Sequence, residues 1–215
     1  MREKFIKQLR ELNVALLEMG HLVEKSITMA VNALLSQNVE EAQNAIKFDE
    51  EIDRKEREIE SMCFQLLLLQ QPVAKDLRFV SAAFKMITDM ERIGDHAADI
   101  SEITIFLSSH PYIKKLDHIR KMATETTDMV MKSIEAYVEN NENKARAVME
   151  QDDVVDELFN TVKSDLIQLI HDDMDNGEQA MDLLMVAKYF ERIGDHATNI
   201  AEWVVYSISG QHVSA

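Results

Sequence analysis

The stretch ERIGDHA occupies Glu91–Ala97 and recurs unchanged at Glu191–Ala197. A segment that repeats at a fixed distance usually marks a repeated structural unit, so the chain is expected to hold two copies of one unit. The correspondence continues outside the seven residues, at an offset of 103 positions before the motif and 100 from the motif onward. It pairs Met19 with Met122, Asp49 with Asp152, Asp53 with Asp156, Ile100 with Ile200 and Glu102 with Glu202.

Each copy is predicted to be a bundle of three helices. Only five glycines and two prolines interrupt a chain rich in good helix formers, which favours a few long helices. Apolar stripes and short loops predict antiparallel neighbours, so the fold class is all-α with two tandem antiparallel three-helix bundles. The six predicted helices span about residues 2–36, 39–70, 73–108, 112–139, 143–173 and 178–207. The predicted units are residues 1–109 and 110–215.

The connections between helices carry two further predictions. Pro72 and Pro111 are the two prolines, and each is expected at a helix start, where a missing N–H costs nothing. The change of offset from 103 to 100 predicts three fewer residues between the second and third helices of the second copy. We expect this shorter connection at DDMDNGEQ, residues 172–179.

Net charge and cysteine content narrow the function. The formal net charge of −16 disfavours binding of DNA, RNA, free phosphate or an anionic membrane, since phosphate groups need Lys and Arg partners. Cys63 is the single cysteine, so no internal disulfide can form, and a small buried thiol in a reducing compartment is expected. No signal-peptide core and no run of ~20 apolar residues is present. We therefore expect a soluble, cytoplasmic protein.

Acidic residues line one face of the third helix in each copy. At 100° per residue, one arc of about 80° in the first copy holds Glu91, Asp95, Asp99 and Glu102. The same arc in the second copy holds Glu191, Asp195, Asn199 and Glu202. Ile93, Ala97 and Ile100, with their second-copy counterparts, lie on the opposite side and are predicted to face the core.

The second helix of each copy carries a matching acidic strip. In the first copy it consists of Asp49, Asp53, Glu56 and Glu60. In the second copy it consists of Asp152 and Asp156, followed by Phe159 and Val162 in the later positions. Gly94 and Gly194 stand mid-helix at a cost of about 1 kcal/mol relative to alanine, which predicts close approach of a neighbouring helix backbone.

Converging carboxylates point to cations. If the two acidic rows of a bundle face each other, repulsion raises their pKa values or a cation neutralises them. Clusters of oxygen ligands suit hard ions such as Mg²⁺, Mn²⁺, Ca²⁺ or oxidised iron, and a carboxylate surface also binds zinc opportunistically. The alternative is a plain acidic surface whose carboxylates pair with Arg92, Arg192 or Lys188.

The histidines of the motif are expected to have another role. His96 and His196 lie off the centre of the acidic row, so a hydrogen-bonding position at a helix seam or at the surface is predicted rather than a ligand role. The Glu-x-x-His spacing of ferritin-like di-iron sites is absent. The chain also has no phosphate-binding loop, no dinucleotide fingerprint and no motif for an activated Ser or Cys nucleophile.

Three stretches together resemble the phosphate-uptake regulator PhoU family. They are QQPVAKDLR at 70–78, ERIGDHAADI at 91–100 and ERIGDHATNI at 191–200. The resemblance covers about residues 5–208. It implies two three-helix bundles related by pseudo-twofold symmetry, in a cytoplasmic, usually dimeric protein whose members in several cases bind metals at the D/E-x-x-x-D rows.

The resemblance also implies site residues and partners. Carried over position by position, the metal candidates are Asp49, Asp53, Glu91, Asp95 and Asp99 in the first half, and Asp152, Asp156, Glu191, Asp195 and Asn199 in the second. Asn199 stands where the first half has a carboxylate, which weakens the second site or lowers its charge. The implied partners are the ATPase subunit of the phosphate ABC transporter and a sensor histidine kinase, so the protein reaches the membrane only through partners.

We therefore expect a negative regulator of phosphate uptake and phosphate-starvation signalling, acting as a metal-binding adaptor with no catalytic residues. Iron, magnesium or manganese is favoured at the carboxylate clusters, and zinc is possible. The alternative from another class is a multinuclear carboxylate-bridged metalloenzyme, which needs an open coordination position and a nearby base. A third hypothesis is a helical scaffold that binds no metal.

Overall fold

The computed structural model describes residues 2–69 and 73–213. Within these ranges the chain forms six long α-helices and one short 3₁₀ turn, Met174–Asn176. The helices are α1 (Arg2–Ser36), α2 (Val39–Leu69), α3 (Ala74–Leu107), α4 (Asp117–Glu139), α5 (Glu142–Asp172) and α6 (Gly177–Ser209). No helix in the described ranges is both long enough and apolar enough to cross a membrane.

The helices form two bundles, α1–α3 and α4–α6, which meet chiefly where α3 packs on α6. The two copies of the motif face each other there, since the rings of His96 and His196 have centroids 5.4 Å apart. At one end of this seam Arg78 of α3 lies against Gly210, directly after α6, so the two helices run antiparallel. The arrangement confirms the predicted fold of two three-helix bundles with pseudo-twofold symmetry.

The core follows from the apolar stripe on each helix. Ile93, Ala97 and Ile100 are buried, as their counterparts in α6 are, so the face predicted to be apolar does face the core. Each fully buried Ile or Leu contributes about 1.5–3 kcal/mol relative to exposure. Cys63 is also fully buried, and burial raises the pKa of its thiol to about 12. Of the four consecutive leucines at positions 66–69 of α2, Leu66 is buried while Leu68 is largely exposed.

The glycines of the two motifs, Gly94 and Gly194, lie at close contacts between neighbouring helices. A Cβ built on Gly94 would lie 2.7 Å from Oδ1 of Asp49 and 2.8 Å from Cδ1 of Ile52, both on α2. A Cβ on Gly194 would lie 3.1 Å from Oδ1 of Asp152 on α5. The predicted close approach is therefore confirmed, but the atoms that come close belong to side chains of the neighbouring helix and not to its backbone.

The start of α4 differs from the prediction. The helix begins at Asp117, so Pro111 does not start it, and residues 110–116 form an irregular link between the bundles. Side chains from other helices hold this link in place. Gln37 donates to the backbone carbonyls of Leu107 and His110 at 2.8 Å each. Gln179 accepts from the backbone N–H of Ile113 at 2.6 Å. Because these partners satisfy the backbone polar groups, the link needs no helix.

The shorter connection predicted at residues 172–179 is also corrected. α3 begins at Ala74, whereas α6 begins at Gly177, about one helical turn closer to its copy of the motif. The three residues are thus missing from the first turn of the third helix, and Met174–Asn176 forms a 3₁₀ turn before it. Residues 70–72 of the first copy lie outside the described residues. The predicted position of Pro72 at a helix start therefore falls outside them as well.

The glycine contacts generate a prediction about stability. Replacing Gly94 with alanine is expected to lower the free energy of unfolding by about 1–2 kcal/mol, because overpacking against Ile52 outweighs the gain in helix propensity. Gly194→Ala, whose Cβ meets no atom closer than 3.1 Å, is the matched control and is expected to change it by less than about 1 kcal/mol. Urea denaturation with chelator present measures both. A Gly94→Ala protein as stable as Gly194→Ala would contradict this packing account.

Candidate metal centre

Five carboxylates of the first bundle form what we call the first acidic face. It combines residues of α2 with residues of α3: Asp49, Asp53, Glu91, Asp95 and Asp99. The close contact at Gly94 brings Asp49 against α3, where its Oδ1 is buried and accepts no hydrogen bond. A buried carboxylate oxygen without a partner is costly, so this position favours either a proton or a cation.

Electrostatic coupling within this face is strong. Burial, followed by the charges of Asp95, Asp53 and Asp99, raises the pKa of Asp49 from 3.8 to about 6. Burial and the nearby Asp95 raise the pKa of Glu91 as well, although Arg92 opposes the shift. The rows of α2 and α3 therefore do converge, as the helical spacing predicted.

Two arginines partly neutralise the first acidic face. Nη2 of Arg57 lies 2.8 Å from Oδ2 of Asp53, and Nη1 of Arg92 lies 2.8 Å from Oδ2 of Asp95. Both arginine side chains are well exposed. Exposed ion pairs contribute only about 0–1 kcal/mol each, so both carboxylates can exchange these partners at little cost.

The second acidic face is built in the same way from α5 and α6. Its four carboxylates are Asp152, Asp156, Glu191 and Asp195. Burial, followed by Asp195, Asp156 and Glu191, raises the pKa of Asp152 to about 6. Lys188 forms an ion pair with Oε2 of Glu191, although that contact lacks the geometry of a hydrogen bond.

Asn199, the tenth candidate, lies at the seam between the bundles. Its Nδ2 donates to Oδ1 of Asp89 on α3 at 3.2 Å, so its side chain is engaged by the first bundle. Nδ1 of His196 lies 2.9 Å from the same oxygen. Asn199 and His196 therefore meet at one oxygen of Asp89.

The histidines of the motif belong to the same seam. Nδ1 of His96 lies 3.4 Å from Oδ2 of Asp99, and its ring centroid lies 5.4 Å from that of Tyr189 on α6. Burial lowers the pKa of His96, and His196 adds to this while Asp99 opposes it. The predicted hydrogen-bonding position at a helix seam is confirmed for both histidines, because His196 contacts Asp89.

The chemistry of these faces fits a hard cation, although their side chains are not preformed as a coordination shell. Among residues 2–69 and 73–213, no group of three or more His, Cys, Asp or Glu side chains is placed to hold a metal ion. Two of the carboxylates point instead to Arg57 and Arg92. The all-oxygen donors, the unpartnered Oδ1 of Asp49 and the raised pKa values still fit Mg²⁺, Mn²⁺ or iron. An ion would bind by displacing the basic partners.

Some contacts of the acidic faces and the seam have no signal in the sequence. Asp89 precedes the motif and receives two hydrogen-bonding partners from the other bundle, which no local spacing indicates. Arg192, named as a partner for the acidic row, instead lies over the ring of Tyr189 at 6.0 Å. Arg92 and Lys188 do pair with acidic residues, as the hypothesis of an acidic surface stated. Arg57 could have been found from its i,i+4 spacing to Asp53.

The fold and the paired acidic faces define a protein of tandem three-helix bundles with one carboxylate cluster on each. The family model described as PhoU domain matches residues 16–104 and 119–204, one match in each half. The chain belongs to the PhoU family.

Curated relatives match over almost the whole chain. A protein of Clostridium acetobutylicum is 38% identical over 213 residues, covering 99% of this chain and 97% of the relative. One of Aquifex aeolicus is 38% identical over 210 residues, covering 98% and 95%. Both carry the name phosphate-specific transport system accessory protein PhoU homolog.

Solved structures show the same fold. The crystal structure of PhoU from Pseudomonas aeruginosa aligns with a TM-score of 0.91 at 32% identity, covering 96% of this chain and 100% of that one. The phosphate transport system regulatory protein PhoU from Streptococcus pneumoniae aligns with a TM-score of 0.90 at 28% identity, covering 98% and 100%.

The raised pKa values predict how stability depends on pH in the metal-free protein. Asp49 and Asp152 hold their protons up to about pH 6 when folded, whereas an unperturbed aspartate titrates at 3.8. The folded state therefore binds more protons, and the free energy of unfolding falls as pH rises from about 4 through about 6. Asp49→Asn removes the charge, so it is expected to raise Tm at pH 7.5 and to have a smaller effect at pH 5.

Calorimetry with chelator at both pH values measures this difference. Glu50→Gln, an exposed position next to Asp49, is the matched control and is expected to shift Tm equally at the two pH values. If Asp49→Asn leaves Tm at pH 7.5 unchanged or lower, the carboxylate is not under repulsion.

Proposed function

We propose that this chain is an accessory protein of phosphate-specific transport that lowers phosphate uptake, acting as a metal-dependent adaptor. Membership of the PhoU family, at up to 38% identity over nearly the whole chain, supports the link to phosphate transport. The observation that carries the metal-dependent part is the buried, unpartnered Oδ1 of Asp49, held among other carboxylates. The same proposal places the protein in the cytoplasm, as a homodimer.

Charge explains why an adaptor of this composition needs cations. The chain carries a net charge of −16, and bare carboxylate faces repel phosphate groups and acidic protein surfaces alike. A divalent ion on such a face offsets part of the negative charge and keeps positions free for a partner's oxygen ligands. The proposed partners are the ATPase subunit of the phosphate ABC transporter and a sensor histidine kinase.

The arrangement of the two acidic faces suits an adaptor. Each acidic face lies on its own bundle, and the bundles are joined by the packing of α3 on α6. Contacts of Asp89 with His196 and Asn199 cross that seam. The two faces are therefore held in a fixed relation, so one molecule can present both at once to two partner surfaces.

The metal-dependent contact can be tested by capture of the purified ATPase subunit on the immobilised chain. Capture is expected with 1 mM Mn²⁺, about tenfold the Kd of an ordinary carboxylate-bound divalent ion, and a large loss is expected after chelation. Asp49→Asn/Asp95→Asn is expected to reduce the Mn²⁺-dependent capture. Glu50→Gln/Glu51→Gln, exposed positions on α2, is the control for charge alone. Equal capture before and after chelation would remove the metal bridge.

Uptake in cells tests the physiological part. Deleting the gene for this chain is expected to raise the rate of radiolabelled phosphate uptake in phosphate-rich medium, and the wild-type gene is expected to restore repression. The Asp49→Asn/Asp95→Asn variant, produced at the same level, is expected to restore it only partly. Unchanged uptake in the deletion strain would contradict the regulatory proposal, irrespective of any metal.

A further inference from the structure

The two acidic faces differ in the side chains at two equivalent positions of the repeat. Lys188 lies one helical turn before Glu191, and the equivalent position before Glu91 is Thr88. On the neighbouring helix, Phe159 of α5 aligns with Glu56 of α2 at the offset of 103. One face thus has a lysine and a phenylalanine where the other has a threonine and a glutamate.

Lys188 is held over the second acidic face by two contacts. Its ammonium group pairs with Glu191, and it lies 5.4 Å from the centre of the Phe159 ring in a cation–π arrangement. Only 38% of its side chain is exposed, compared with 69% for Arg57 and 57% for Arg92 at the first face. Glu191 is more buried still, with 15% of its side chain exposed. This ion pair is therefore better shielded from water than the pairs of the first face.

In the part of the chain that the structure describes, the second acidic face has no counterpart of the ion pair between Arg92 and Asp95. Arg192, the counterpart of Arg92, lies over Tyr189 and is not paired with Asp195. Lys188 is thus the cation that the second acidic face carries in place of the two exposed arginines of the first.

The first acidic face has no lysine at the equivalent position and carries a further carboxylate. Thr88 is exposed and brings no charge, while Glu56 adds a further carboxylate beside the face. The first face therefore has an additional carboxylate where the second has the ring of Phe159. Asp99 also belongs to the first face, whereas its counterpart Asn199 is neutral and engaged by Asp89.

We propose that Lys188 is a built-in counter-ion of the second acidic face, which makes this face the weaker of two unequal metal sites. A divalent ion must displace or share carboxylates with an anchored ammonium group there, whereas at the first face it displaces exposed guanidinium groups. The second face therefore responds to higher concentrations of metal than the first. This inference rests on the proposed function of both faces as metal sites.

Mn²⁺ binding to the full chain tests this directly, with free Mn²⁺ followed by electron paramagnetic resonance. Each face is studied alone, by disabling the first with Asp53→Asn/Asp95→Asn and the second with Asp156→Asn/Asp195→Asn. With the first face disabled, Lys188→Thr is expected to tighten Mn²⁺ binding about tenfold, because one nearby positive charge is removed. With the second face disabled, Thr88→Lys is expected to weaken binding by a similar factor.

Circular dichroism verifies the helix content of each variant. Because Thr88 is exposed, Thr88→Lys remains informative if Lys188→Thr fails to fold. Binding at both faces with no change from Lys188→Thr or Thr88→Lys overturns the role of Lys188 and leaves the metal sites intact. Absence of any Mn²⁺ binding to the unsubstituted chain overturns both proposals. Tighter binding in Lys188→Thr supports the inference.

Discussion

Repulsion among carboxylates that the backbone holds together is the constraint on which this account depends. α2 approaches α3 so closely at Gly94 that a methyl group there would collide with Asp49 and Ile52. The core requires this approach, because the apolar faces of both helices are buried on the same side. The acidic rows beside the core are then brought near each other, and burial together with the charges of the neighbouring carboxylates raises the pKa of Asp49 to about 6. The packing that stabilises the bundle thus makes an unneutralised carboxylate at Asp49 costly.

Duplication repeated this arrangement, and later divergence made the two copies unequal. Both copies keep the glycine, the buried aspartate and the motif, so each bundle has its own acidic face. The seam joins them through side chains that are no longer equivalent: Asp89 contacts His196 and Asn199, whereas its counterpart Tyr189 lies beside His96. A symmetric backbone therefore carries two chemically different surfaces, which suits a protein that meets different partners at its two halves.

Much of the fold could be predicted from the sequence because it depends on local periodicity. The scarcity of glycine and proline, the apolar stripe through Ile93 and the exact recurrence of ERIGDHA determine helices, core faces and the number of bundles. The start of α4 could not be predicted, since Gln37 and Gln179 fix residues 110–116 from distant parts of the chain. The preference of proline for a helix start therefore misplaced the start of α4 at Pro111, because contacts from distant residues determine the conformation of this segment.

The candidate site likewise has features that follow from spacing on one helix and features that depend on contacts between helices. Spacing on each helix indicates which carboxylates share a face, because residues three and four apart are neighbours on a helix surface. It could not reveal that Asn199 is engaged by Asp89, because the register of α3 against α6 depends on packing between bundles. Nor could it show that Lys188 is anchored on Phe159, since that contact joins two helices.

Anomalous X-ray diffraction at the manganese edge, from crystals of the unsubstituted chain grown with Mn²⁺, tests the central claim most directly. The account predicts an anomalous peak between α2 and α3 beside Asp49 and Asp95, with Arg92 turned away from the carboxylate it now contacts. A map without any peak at either acidic face, and with Arg57 and Arg92 still paired to Asp53 and Asp95, would contradict it.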